Sequence, residues 1–345
     1  MKNISKTSLH SSSGYTLVEL LIAMLIGLFL MGGVYQVTEA NKKTSLINKM
    51  QQRAQQDGRF AINHLSHAIK LARYSGFYGD LSTGVENVLN NPNDEKWNIS
   101  LPVSGFNNVS STDTIAGVTD FVAGTDVLLL KGMNSNTVPV ITNVANNTLT
   151  ISANSGFVAG DIVLISDTDQ ASLFQIENVV NDVTTSTLTL VAGGATPGNA
   201  SLLSNGYNTS AEIGKYNFQM YYIKNGHNNF PALYEAILTT NAGEIQLQEN
   251  ELVSNIDNLQ TKYGVDTNND ERLDEYNNAA AIADWNQLVS VKLALISCSN
   301  EAVVNEKNSF TYDDERVTFM RDATPSDTAD KCLRRVFTTY VPLRN

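Results

Sequence analysis

Glu19 is the only ionisable side chain in the apolar run that extends from Leu17 to Val34. A carboxylate inside a membrane-crossing helix costs about 2.5 to 3.5 kcal/mol on insertion scales, so it calls for a partner or a task. Gly14 stands just before the run. An ordinary secretory signal places its small cleavage-site residue after the apolar core, whereas cutting between Gly14 and Tyr15 would leave the apolar segment on the mature chain. It would also free an amine on Tyr15, about one helical turn from the carboxylate. A one-turn stagger between neighbouring copies would then pair amine with carboxylate. The competing reading is a Glu19 that snorkels or stays protonated near a membrane face.

Three other groups have chemistry-bearing spacing. Asp266, Asn268, Asp270 and Asp274 put oxygens on alternate positions, as the start of a calcium loop does. That loop's Gly is replaced by Glu271, and Asn277 stands where a bidentate Glu is needed, so a polar Asx-rich turn is the other reading. His64 and His67 lie one turn apart with no third ligand nearby, which suits surface histidines better than a metal site. Cys298 and Cys332 are the only cysteines; they either close a loop or remain two buried thiols. No Gly-x-Ser-x-Gly elbow, phosphate-cradling Gly loop or His-Glu-x-x-His helix is present, and of four histidines one precedes Gly14. An enzyme is not expected, and no cofactor other than the calcium alternative is implied.

These residues need a frame. Beyond Val34 the apolar positions Ile47, Met50, Ala54, Ala61, Leu65, Ala68, Ile69 and Ala72 recur at three- and four-residue steps. A helix from Tyr15 to about Arg73 is roughly 90 Å long at 1.5 Å per residue. Its first half, residues 15–37, is a membrane or filament-core element, and residues 38–79 lay an apolar stripe on a head, with Gly58 as a place to bend. Residues 80–114 read as connecting loop. Residues 115–200 hold short β-like runs, Asp126–Leu130, Val138–Ile141, Thr148–Ile151, Asp161–Ile165, Leu173–Val180 and Thr187–Val191, and read as an inserted β-rich subdomain. In residues 201–345, runs at Tyr216–Ile223, Ala232–Leu238, Leu288–Ser297 and Arg334–Leu343 make a C-terminal β-rich domain, with a short helical turn expected over Glu251–Leu259. Two stretches, Phe121–Leu129 and Phe157–Leu164, share a Gly turn feeding a buried strand. The fold class is therefore α+β: a long N-terminal helix packed on a β-rich head with a small inserted β-domain.

Charge narrows the partners. The 345 residues carry a formal charge of −12, and loss of Lys2 and Lys6 with residues 1–14 takes it to −14. So acidic a body is a poor binder of nucleic acid, and no direct nucleic-acid contact is expected. Lys2 and Lys6 on one side of the apolar run nearly balance Lys42, Lys43 and Lys49 on the other, so charge asymmetry alone leaves the orientation open.

Gly14-Tyr15-Thr16-Leu17-Val18-Glu19-Leu20-Leu21-Ile22-Ala23 resembles the prepilin signature of type IV pilins and pseudopilins. The resemblance implies that residues 1–14 are a leader removed by prepilin peptidase, that Tyr15 is then N-methylated, and that Glu19 guides docking into a filament. Tyr15 replaces the usual Phe. Further stretches, at Gln55–Gly79, Asp161–Ile176, Tyr263–Asp270 with Tyr276, Trp285 and Val289–Lys292, and Arg334–Thr339, resemble the PilW-type minor pilins. That implies a subunit stored in the inner membrane with a periplasmic head, a Cys298–Cys332 disulfide in the C-terminal part, and assembly into a surface pilus. The implied partners are other minor pilins, the major pilin, the inner-membrane assembly machinery and a tip adhesin. The alternatives are a pseudopilin of a type II secretion system and a membrane-tethered module that binds calcium or a surface.

Overall fold

The computed structural model describes residues 15–343 apart from residues 80, 82–83, 143–146, 154, 195–196, 205, 228, 242, 300–308, 313–314 and 319–331. Two compact units divide at residue 52. In the first, helix α1 (Leu17–Leu71) begins, and every residue from Tyr15 to Val37 except Gly27 is exposed. It is long and apolar enough to cross a membrane.

In the second unit the same helix becomes amphipathic. Ala54, Gly58, Ala61, Ile62, Leu65, Ala68 and Ile69 are buried, the period expected of one helical face. Each fully buried Leu or Ile there contributes about 1.5–3 kcal/mol. A Cβ at Gly58 would overlap the ring of Phe337, so the small residue permits close approach.

The strands follow as β1 (Val85–Asn87), β2 (Val103–Val109), β3 (Thr125–Met133), β4 (Val138–Pro139), β5 (Thr148–Ser152), β6 (Ile162–Ser166), β7 (Ala171–Gln175), β8 (Asn178–Asn181) and β9 (Thr185–Thr189). Then come β10 (Glu212–Asn225), β11 (Pro231–Asn241), β12 (Glu244–Ser254), β13 (Ile256–Val265), β14 (Glu275–Asn277), β15 (Leu288–Cys298), β16 (Ser309–Tyr312), β17 (Glu315–Thr318) and β18 (Arg334–Pro342). Strand β10 is the girder. Its start, Glu212–Lys215, pairs with β6, which continues through β7 to β1, while Tyr216–Tyr221 pairs with β3 and Gln219–Asn225 with β11. The loop from Asn225 to Pro231 closes the β10–β11 hairpin, with Gly226 N–H donating to Phe230 O at 2.8 Å.

A four-stranded sheet, β14-β13-β15-β18, lies apart from the large one, and β5-β9-β8 form a third. One core joins the buried face of α1 to Val103, Leu128, Leu130 and Tyr221 of the large sheet and to Leu259, Val291, Leu293 and Val341 of the four-stranded sheet. A second gathers Trp97, Ile99, Phe121, Leu129, Phe218 and Tyr222, and a third packs Leu149, Ile151 and Leu188 on Val163, Ile165 and Phe174. The protein is α+β, 21% helix and 43% strand.

Three local expectations need correction. Residues 80–114 are not simply loop: β1 and β2 lie there, and β2 pairs with β3 across a bulge between Phe106 and Val109. Residues 115–200 do not make a separate β-domain, because β3, β6 and β7 join the large sheet and only β5, β8 and β9 stand off it. Glu251–Leu259 is not a helical turn. Leu252, Ile256 and Leu259 are spaced like a helix face, yet Asn255 sits at φ 60° and turns the chain from β12 into β13.

Candidate functional site

Thr16 and Glu19 open the helix together. Glu19 N–H donates to Thr16 Oγ1 at 3.2 Å, while Glu19 Oε2 accepts from Thr16 N–H at 2.9 Å and from Thr16 Oγ1 at 3.0 Å. This reciprocal capping box satisfies donors that a helix start would otherwise leave open, and it sets a negative charge at the positive end of the helix dipole. Tyr15, the first described residue, is 91% exposed. Gly14 lies outside the described residues. Thr16 was missed by sequence reasoning, although Thr-x-x-Glu before an apolar run is the signal that finds it.

In the head, Cys298 and Cys332 are joined in a disulfide with Cα atoms 5.7 Å apart. The bridge ties the end of β15 to the approach of β18, where Arg334 Nε donates to Asp257 Oδ2 at 2.7 Å and both side chains are buried. Because the two sulfurs are bonded to each other, the cluster they form with Asp257 is no metal site.

The Asp266 loop uses its oxygens locally. Asp266 Oδ1 accepts the N–H groups of Asn268 and Asp270 at 3.2 Å each, and Oδ2 that of Glu271 at 2.6 Å. Asp274 Oδ2 accepts Thr267 Oγ1–H at 2.7 Å and Thr267 N–H at 2.9 Å, which hold its carboxyl below the usual range. Asn268 Oδ1 accepts from Asp270 N–H at 2.9 Å. Asn269 and Glu271 take φ near 60°, so the chain makes its turns without the Gly of a calcium loop. Among the described residues, the carboxylates of Asp266, Asp270 and Asp274 do not gather as one ligand set. The donors present fit a nest of Asx turns better than a cation cage.

The histidine pair separates. His64 Nε2 lies 3.2 Å from Tyr221 Oη and 3.6 Å from Glu235 Oε1, while His67 is exposed. Burial pushes the Glu235 carboxyl up, but hydrogen bonds with His64 and Tyr221 outweigh it and leave it below its ordinary value. The trio fastens the helix to β10 and β11.

An exposed apolar stem opened by a carboxylate, continuing into a half-helix buried by a β-rich head, defines a pilin-like subunit. Residues 9–35 match the model of the prokaryotic N-terminal methylation motif, and residues 220–345 match that of type IV pilus-assembly protein W. The two matches in one chain support a PilW-type type IV pilin. Searches among curated proteins and among solved structures returned no match. A pilus-assembly family implies association with pilus components and machinery, and the apolar helix with the methylation signature supports a membrane-anchored, surface-pilus protein.

Proposed function

We propose that the chain is a minor pilin that primes pilus assembly and sits at or near the pilus tip with other minor pilins. The observation that carries the reading is the unburied stem with a single carboxylate in its first turn. Such a helix is stored in a bilayer and released only when other stems replace the lipid. In this reading prepilin peptidase cuts after Gly14, Tyr15 is methylated, and the stem spans the inner membrane once with the head in the periplasm. Glu19 of one subunit then pairs with the terminal amine of another, among the minor pilins or with the major pilin. The head, which is larger than a repeating shaft subunit needs, selects neighbours or presents a tip adhesin. Function is by association, without turnover of a substrate.

The test is complementation of a deletion strain, scored by imaging surface filaments. The capping box makes two variants informative. Glu19→Gln keeps an acceptor for Thr16 but removes the charge, whereas Glu19→Ala removes both. Charge pairing requires that both fail and that wild type restore filaments. Full rescue by Glu19→Ala would overturn the pairing role. Rescue by Gln alone would reduce Glu19 to a helix cap.

A further inference from the structure

A cavity of about 660 Å³ opens among β2, β3 and the 3₁₀ turns at Ala279–Ala281 and Trp285–Gln287. The assembly reading leaves it unused. Its volume is that of a small-molecule site, and one of its lining residues is a buried amine. Lys131 is 2% exposed. Its Nζ donates to Leu101 O at 3.0 Å and to Ser104 Oγ at 3.5 Å, so among the described residues two neutral acceptors serve three N–H groups. Burial pushes the ammonium down to about 8, against a pull upward from Glu95 and Asp94. Neither carboxylate bonds to it, and Asp94 is engaged with Lys96 at 3.1 Å. A buried cation with neutral partners is completed by an anion that arrives from outside.

The remaining wall says what carries that anion. Phe106 is exposed at the cavity, and the Trp285 indole is held edge-on against Tyr263 with centroids 4.8 Å apart, which fixes its orientation. Rings of this kind pack on the flat apolar face of a sugar. Asn93, Asn98 and Asn107 also line the cavity, and an Asn amide offers donor and acceptor together, the pattern that ring hydroxyls match. Glu95 and Asp113 at the exposed edge accept hydroxyl protons and repel polyanions. One buried cation, two ring walls and three amides form a set that neither a bare inorganic anion nor a nucleic acid fits.

We propose that this cavity binds an acidic sugar, with its carboxylate on Lys131 Nζ and its ring against Phe106 and Trp285. The full chain in detergent micelles is titrated calorimetrically with glucuronate, N-acetylneuraminate and, as the neutral comparison, glucose. Saturable binding of at least one acidic sugar is expected, at least tenfold tighter than glucose. Lys131→Met should weaken it at least tenfold, and Phe106→Ala, which removes one ring wall, severalfold. Wild type that binds neither acidic sugar, glucose that binds equally well, or Lys131→Met that binds like wild type would each overturn the proposal. Filaments restored by Lys131→Met in the deletion strain separate this site from the assembly role, since loss of sugar binding then leaves piliation intact.

Discussion

At the scale of single residues, a charge that looks misplaced has a measurable thermodynamic signature. Lys131 interrupts the apolar run Val127–Met133 within β3 (Thr125–Met133), a strand buried along its whole length. Its folded-state value of about 8 lies below the 10.5 of an ordinary lysine. Below pH 8 the amine is protonated whether the chain is folded or not, so the full cost of burial is present. Between pH 8 and 10.5 the unfolded chain holds a proton that the folded chain has released, and stability rises with pH. Lys131→Met should therefore be more stable than wild type at pH 7. The burial cost is of order 3 kcal/mol, and the lost bond to Leu101 O offsets about 1 kcal/mol of it. The gain should shrink steadily toward pH 10.5. Denaturant unfolding of both proteins at pH 7, 9 and 10.5 checks this, and a gain that does not change with pH would show that the folded lysine holds its proton as tightly as the unfolded one, so that burial does not lower its proton affinity. Glu19 was legible in the sequence for the reason that also exposes Lys131: each is a lone charge in an apolar run. The partners were not legible, because Thr16 is local but Leu101 and Ser104 are brought to Lys131 only by the pairing of β2 with β3.

At the scale of elements, what could be read depended on whether the pattern was local. The buried positions of α1 repeat at helical spacing, so the residues themselves carry that geometry. Gly124 and Gly160, both with left-handed φ, precede β3 and β6 as the shared Gly-turn pattern implied. By contrast β2 reads Val-Ser-Gly-Phe-Asn-Asn-Val, a poor strand by propensity, and exists because β3 supplies its partner. Gly58 shows the same divide. Seen locally it is a weak point in a helix, and Ala there should add about 1 kcal/mol of helix propensity. Packing reverses the sign, since the added Cβ meets the half-buried Phe337 of β18. Gly58→Ala is expected to destabilise by about 1–3 kcal/mol, the usual cost of overpacking. Pairing it with Phe337→Leu should recover part of that loss, and thermal unfolding of the two single variants and the double variant measures the coupling. Additive losses would mean that the ring does not limit the approach.

At the scale of the whole molecule, the C-terminal strand completes a head whose parts are distant in sequence. Strand β18 pairs only with β15 among the described strands, yet it supplies Val341 to the core that receives α1 and Phe337 against Gly58. Two devices hold it in register at its start: the Cys298–Cys332 bridge and, two residues on, the buried Arg334–Asp257 pair. The bridge spans 34 residues, which by loop entropy stabilises the fold by about 4 kcal/mol. At roughly 2–4 °C per kcal/mol for a chain of this class, the double variant Cys298→Ser/Cys332→Ser should melt on the order of 10 °C lower. The loss should be concentrated in β18 and the helix face it covers, because the remaining strands keep their own partners. Hydrogen exchange resolves the distribution: faster exchange confined to residues 334–342 and 54–69 is expected. Uniform acceleration across β10 and β11 would show instead that the head unfolds as one unit and that the bridge stabilises it through the unfolded chain alone.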